Sequence, residues 1–242
     1  YDDCGHGTHI CGIIGGSGRM SGGRYSGIAP GCNLIMVKVL DRKGNGYSSD
    51  VLAGISWVLE RKEQLGIRIL NISVGACSKR GMSENSALVK GVNRAWDAGL
   101  VVVVAAGNNG PRTMSITTPG ISRKVITVGC SDDDREVLVG GNRMVDYSGR
   151  GPTAACICKP DLVAPGCSVV SCSSRADKYT IKSGTSMSTP IVSGAVALLL
   201  ERFPDMSNKD VKLRLRESSV DIGLPRNQQG WGKFNCKKFL AL

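Results

Sequence analysis

The sequence is short of histidine, with two in 242 residues, and of aromatic side chains, which make up 5 %. It has no long apolar run. The longest, residues 100–106 and 195–200, fall well short of the ~18 residues that a membrane-spanning helix needs. No Cys-x-x-Cys pair is present, and with two histidines a zinc finger has little to use. No basic block stands beside stacking aromatics, and no RNA-binding aromatic motif appears. Nucleic acid is therefore not the expected partner, despite a net charge of +11. Residues 201–242 carry nine Lys/Arg and five Asp/Glu, or +4, which leaves +7 spread over the first 200.

What is present is glycine and cysteine. The 32 glycines gather in short clusters at the ends of apolar runs, as in a site built on loops. Ten cysteines are present, and several, among them Cys130 and Cys172, occupy places where a small apolar residue would fit. Buried free thiols in a reducing compartment are the favoured reading, and the even count keeps disulfides open. Cysteine usage leans towards the cytoplasm, with secretion the alternative.

The apolar periods alternate between two types. Strand-like runs occupy residues 33–40 (NLIMVKVL), 67–74 (IRILNISV), 100–106 (LVVVVAA) and 125–130. Helical periods cover 48–62, with Val51, Ile55, Val58 and Leu59 on one face, and 83–98, with Leu88, Val89, Val92 and Trp96 inward and Gly99 as the stop. Further helices are expected at 10–14, 190–202 and 208–217. Strands and helices alternating at these spacings predict one α/β domain over residues 1–242, with a mostly parallel sheet and helices on both faces. Chemistry in such sheets lies beyond the carboxyl ends of the strands.

Those ends carry small residues beside polar ones: Ser73-Val74-Gly75, Gly107-Asn108, and Gly184-Thr185-Ser186 before the apolar helix. Each element is ambiguous alone. His6, in Gly5-His6-Gly7-Thr8-His9, reads as a capping residue or as a base; Ser186 as a helix N-cap or a nucleophile; Asn108 as a turn residue or an oxyanion donor. His9 stands one turn beyond His6, but His-x-x-His without a neighbouring carboxylate motif is a weak metal signal.

Taken together and in order, Asp2-Asp3-Cys4-Gly5-His6-Gly7-Thr8-His9, Ala105-Ala106-Gly107-Asn108 and Gly184-Thr185-Ser186-Met187-Ser188-Thr189-Pro190 resemble the subtilisin-like serine proteases of bacteria. Shorter matches are Gly27-Ile28-Ala29-Pro30, Val37-Lys38-Val39-Leu40, Asn71-Ile72-Ser73-Val74-Gly75 and Asp161-Leu162-Val163-Ala164-Pro165-Gly166. The resemblance implies a three-layer α/β fold and a serine endopeptidase acting on protein or peptide substrates. His6 would be the base, Ser186 the nucleophile and Asn108 an oxyanion donor. Ser73, Val74, Gly75, Ala105, Ala106 and Gly107 would line the substrate. His9 becomes a structural residue, and the excess glycine is expected to serve the loops around His6, Asn108 and Ser186.

One departure stands out. The family orders its triad Asp, His, Ser, with the Asp on a strand about thirty residues before the His. Only five residues precede His6, and Asp2 and Asp3 match an acidic pair next to the histidine rather than the triad carboxylate. The first strand and its Asp are therefore expected upstream of Tyr1, and residues 1–242 alone are expected to fold poorly. The alternative is an inert member of the family that binds peptides or a protease. Calcium is implied by the resemblance only, and no metal site emerges by spacing; Asp132-Asp133-Asp134 reads as a solvated turn. Cys4 and Cys11, close to His6, make inhibition by thiol-reactive metals an expectation. Nothing in the sequence fixes an oligomeric state.

Overall fold

A computed structural model describes residues 1–76, 84–175 and 179–241. The elements follow in the order α1 (His6–Gly15), α2 (Ser48–Arg61), β1 (Ile69–Ile72), α3 (Ala87–Asp97), β2 (Val101–Ala105), β3 (Ile126–Cys130), β4 (Val137–Val139), β5 (Asn142–Met144), β6 (Leu162–Ala164), β7 (Val169–Cys172), β8 (Tyr179–Lys182), α4 (Thr185–Arg202), α5 (Asn208–Ser218), α6 (Arg226–Gln229) and α7 (Cys236–Leu240). Four strands form a parallel sheet in the order β1-β2-β3-β6, with Ile69 beside Val101, Val103 beside Ile126 and Val128 beside Leu162. Two antiparallel hairpins, β4-β5 and β7-β8, lie outside it.

Successive side chains of a strand point to opposite faces. All five residues of β2 and of β3 are buried, so both faces of the sheet are covered. Helix α4 lies against all four strands of the sheet, α3 against β2, and α2 against α3. Val92, Val104, Ile126, Leu162, Val196 and Leu199 belong to one continuous core. Such side chains, fully buried, contribute about 1.5–3 kcal/mol each. This is the expected α/β architecture. Helix α3 begins at Ala87, because the Ser86 hydroxyl accepts from Val89 N. The predicted helix started at Ser83, which lies outside the described residues.

One predicted strand is not a strand. Residues 33–40 run extended without a ladder, and Leu34, Ile35 and Met36 are 42, 46 and 49 % exposed. A strand buried on both faces needs a hydrogen-bonded neighbour, and here the neighbouring space is a cleft of about 860 Å³. Its walls are Met36, Val37 and Leu40 on one side and Ile69, Leu70 and Ser73 of the β1 region on the other. At one end it reaches His6. Strand β1 thus has one ladder partner among the described residues, β2, and leaves its other edge to the cleft.

Helix α1 packs on α4 and on β7. Gly12 permits this: a Cβ there would lie 2.3 Å from Ser171 Oγ. His9 fastens the contact, with Nε2 donating to Val169 O at 3.1 Å and Thr180 O at 3.2 Å. Through Nε2 it therefore has a structural part, holding α1 to the β7-β8 hairpin. The aspartate run differs from its expected solvated turn: Asp132 Oδ1 accepts from Gly166 N and Cys167 N, and buried Asp133 accepts from Ser148 N at 2.7 Å.

Burial pulls the His9 pKa down to about 4, more than its bonds to Thr180 and Val169 raise it. A base whose folded pKa lies below its unfolded value of about 6.5 contributes stability above that value, and the contribution is lost as pH falls towards 4. Between pH 7 and pH 5 the unfolding free energy should drop by about 1–2 kcal/mol on this account. The same titration on His9→Gln should be flatter by that amount, and parallel pH profiles for the two proteins would refute the assignment.

Candidate functional site

The carbonyl oxygen of Ser73, just past β1, collects the two groups that matter. Ser186 Oγ donates to it at 2.9 Å, and His6 Nε2 lies 3.1 Å away. A carbonyl oxygen can only accept, so this bond puts the imidazole proton on Nε2. Burial lowers the His6 pKa first; the bond to Ser73 raises it, Lys182 lowers it and Asp2 raises it, leaving it below the ordinary value. The ring is therefore neutral at pH 7, with its lone pair on Nδ1.

Ser186 stands in the first turn of α4, where an α-helix leaves its N–H groups without intrahelical acceptors. Gly184 precedes it at φ 141°, a conformation that L side chains rarely adopt, and a Cβ there would lie 3.2 Å from Asn108 Nδ2. Asn108 follows β2. Its Oδ1 accepts from Thr185 N at 3.0 Å and from Thr185 Oγ1 at 3.1 Å. With the oxygen so engaged, the Nδ2 amide hydrogens are presented beside the Ser186 turn. The two donors and the hydroxyl thus come together from the ends of β2 and the start of α4.

Thr185, buried, was not singled out by the sequence. Besides orienting Asn108, its Oγ1 accepts from Gly107 N at 3.1 Å. A second relay holds Ser73: Ser193 Oγ donates to Asn71 Oδ1 at 2.9 Å, and Asn71 Nδ2 donates to Ser73 Oγ at 3.0 Å. The helical spacing of Thr185, Thr189 and Ser193 was the available signal, since a polar stripe along an otherwise apolar helix calls for partners.

The six predicted lining residues divide into two kinds. Ala105 and Ala106 are buried, and Ala106 O is already taken by Thr117 N at 2.9 Å, while Gly107 O accepts from Gly149 N at 2.8 Å. The carbonyls of Ala106 and Gly107 are thus each engaged by one backbone N–H. Val74 and Gly75 are more open, and both Gly75 and Gly107 pack where a Cβ would lie 2.4 Å from the Thr117 side chain. Ser73 itself is buried, yet its carbonyl faces the site.

Neither nearby aspartate is hydrogen-bonded to the imidazole. Asp2 accepts from Gly5 N at 2.8 Å, Thr8 N at 2.8 Å, Thr8 Oγ1 at 2.7 Å and Cys4 N at 3.1 Å. Burial alone would raise its pKa, but these bonds outweigh it and hold Asp2 at about 2. Asp3 pairs with Lys38 at 3.0 Å. Asp2 thus acts at the N-terminus of α1, while Asp3 ties the chain before it to the segment of residues 33–40. No cysteine among the described residues is in a disulfide. Among those residues, the one cluster of three ligand-bearing side chains is Cys130, Asp132 and Cys167. Two thiols and a carboxylate do not make the cage of six to eight oxygens that calcium takes.

Residues 1–232 match the family model described as the subtilase family. The chain is 41 % identical over 236 residues to serine protease AprX of Bacillus subtilis (strain 168), covering 90 % of this chain and 53 % of that protein. It is 34 % identical over 224 residues to subtilisin DY of Bacillus licheniformis, covering 92 % and 73 %. The solved structure of sphericase superposes with a TM-score of 0.81 at 31 % identity, covering 97 % of this chain and 78 % of that one. The chain thus spans about half the length of AprX. With the same α/β architecture, and with the serine, histidine and asparagine motifs brought to one place, the chain belongs to the subtilase family.

Proposed function

We propose that the chain forms the catalytic part of a serine endopeptidase. The observation that carries this reading is the convergence of Ser186 Oγ and His6 Nε2 on one carbonyl, with Asn108 held beside the helix end. In the reaction, Ser186 Oγ attacks the carbonyl carbon of an extended peptide, and His6 Nε2 takes the hydroxyl proton. The negative oxygen that results is met by Asn108 Nδ2–H and the Ser186 N–H, two donors fixed before the substrate arrives. The proton passes from His6 to the leaving amine. Water then repeats the sequence on the acyl-serine and releases the acid.

For that sequence His6 must present a lone pair at Nε2, the opposite of the tautomer that its bond to Ser73 O imposes. An acceptor at Nδ1 draws the proton to that side and frees Nε2. The cleft that reaches His6 is the place for it: an extended segment laid between residues 33–40 and β1 would satisfy the open edge of β1 and carry a carboxylate to the imidazole. The reading of the chain as an inert peptide binder rests on the lack of such a carboxylate among the described residues. The intact donor geometry favours the protease.

A phosphonofluoridate should label Ser186 in the chain extended upstream of Tyr1 by such a strand, with labelling lost in Ser186→Ala and reduced more than about 100-fold in His6→Ala. A folded, extended protein that takes no label would refute the reading. Thr185→Val removes the hydroxyl that orients Asn108 and is expected to lower kcat about 10–100-fold with KM little changed, because the lost interaction serves the transition state. Thr185→Ser should restore most of the rate. Equal losses in both variants, or a change confined to KM, would contradict this positioning role.

A further inference from the structure

Away from Ser186, the end of β3 and the loop after β6 bring two buried thiols together. Cys130 Sγ and Cys167 Sγ are 4.0 Å apart. Asp132 Oδ1 lies 3.1 Å from Cys130 Sγ, and the Tyr147 hydroxyl is 3.2 Å from Cys130 Sγ and 3.1 Å from Cys167 Sγ. Thiols that merely fill a core face apolar neighbours; these face each other, a carboxylate and a phenol. We propose that Cys130, Cys167 and Asp132 form a binding site for a thiophilic divalent cation such as zinc or cadmium, with a fourth position for water.

The dimensions fit. Two sulfurs ~2.3 Å from a zinc ion at the tetrahedral angle are about 3.8 Å apart, so the pair needs almost no movement to close on a metal. A disulfide would need the sulfurs to approach to about 2.05 Å. Asp132 is already fixed, because its Oδ1 accepts from Gly166 N at 2.8 Å and Cys167 N at 3.2 Å, which orients the carboxylate as an outer shell orients a metal ligand. Tyr147 donates to Gly166 O at 3.3 Å, and its hydroxyl oxygen stands beside both sulfurs. The soft donor set selects zinc, cadmium or mercury over calcium.

Binding converts two thiols and a divalent cation into a bis-thiolate complex and two protons released to solvent. Because both protons must leave for the metal to bind, affinity rises with pH. The site adjoins the catalytic turn, since Gly184 N donates to Gly166 O at 2.9 Å, and it stands independently of the catalytic reading.

The test is titration of the reduced, chelator-treated chain with cadmium, following thiolate-to-cadmium ultraviolet absorbance, released protons and Tm. The expected result is one tight equivalent, two protons released and a raised Tm. In Cys130→Ala and in Cys167→Val the tight phase should weaken at least 100-fold, whereas the Cys4→Ser/Cys11→Ser double variant should keep it. Asp132→Asn, a milder change should the cysteine variants fail to fold, is expected to weaken binding about 10–100-fold. A tight equivalent that persists in Cys130→Ala, Cys167→Val or Asp132→Asn would overturn the proposal. So would its absence from the reduced parent chain, or its loss in the Cys4→Ser/Cys11→Ser variant.

Discussion

A single acceptor, the carbonyl oxygen of Ser73, organises the site. It receives the Ser186 hydroxyl and the His6 ring nitrogen together, and it belongs to the chain leaving an edge strand of the parallel sheet. Because an amide oxygen cannot donate, it holds the proposed nucleophile and base side by side, with the proton of each directed at it. The hydroxyl is not bonded to the imidazole, and the imidazole has the tautomer that cannot accept from it. In the proposed reaction arrangement and activation are therefore separate: the sheet and α4 supply the first, and an acceptor at His6 Nδ1 would supply the second.

The cleft beside β1 joins this chemistry to the fold. An edge strand leaves half its backbone groups without ladder partners, and the apolar residues facing it across the cleft are left half-exposed. A segment that repaired the sheet there would cover Leu34, Ile35 and Met36 and, in the same act, approach the histidine. The stability of the sheet edge and the competence of the base thus depend on one space. The oxyanion side is different. Thr185, Asn108 and Gly107 are tied together wholly within the described residues, so those donors are in place whatever fills the cleft.

Much of this was legible in the sequence because it depends on local chemistry. The β-branched run of β2, the period of α3 and the Gly-Thr-Ser before an apolar helix have their structures written in adjacent residues. Residues 33–40 were misread for the complementary reason: their apolar pattern is that of a strand, but a strand exists only with a partner, and pairing is not a local property. The hairpins β4-β5 and β7-β8 escaped notice because short strands with mixed polarity carry little period. The glycines were assigned to the active site too freely. Gly5, Gly107 and Gly184 serve it at positive φ, but Gly22, Gly23, Gly66, Gly140, Gly141 and Gly223 hold turns elsewhere with open space around them. Thr185 was passed over because it acts through Asn108, although its helical spacing with Thr189 and Ser193 offered a signal; the thiol pair gave none, since it joins residues 37 positions apart.

The central claim, that Ser73 holds the base in an idle tautomer, is open to direct measurement by nitrogen NMR of the chain labelled at histidine. With His9→Gln to leave one imidazole, the account predicts that His6 is neutral at pH 7, with its proton on Nε2 and Nδ1 bare. A proton on Nδ1, with Nε2 accepting from Ser186, would contradict it.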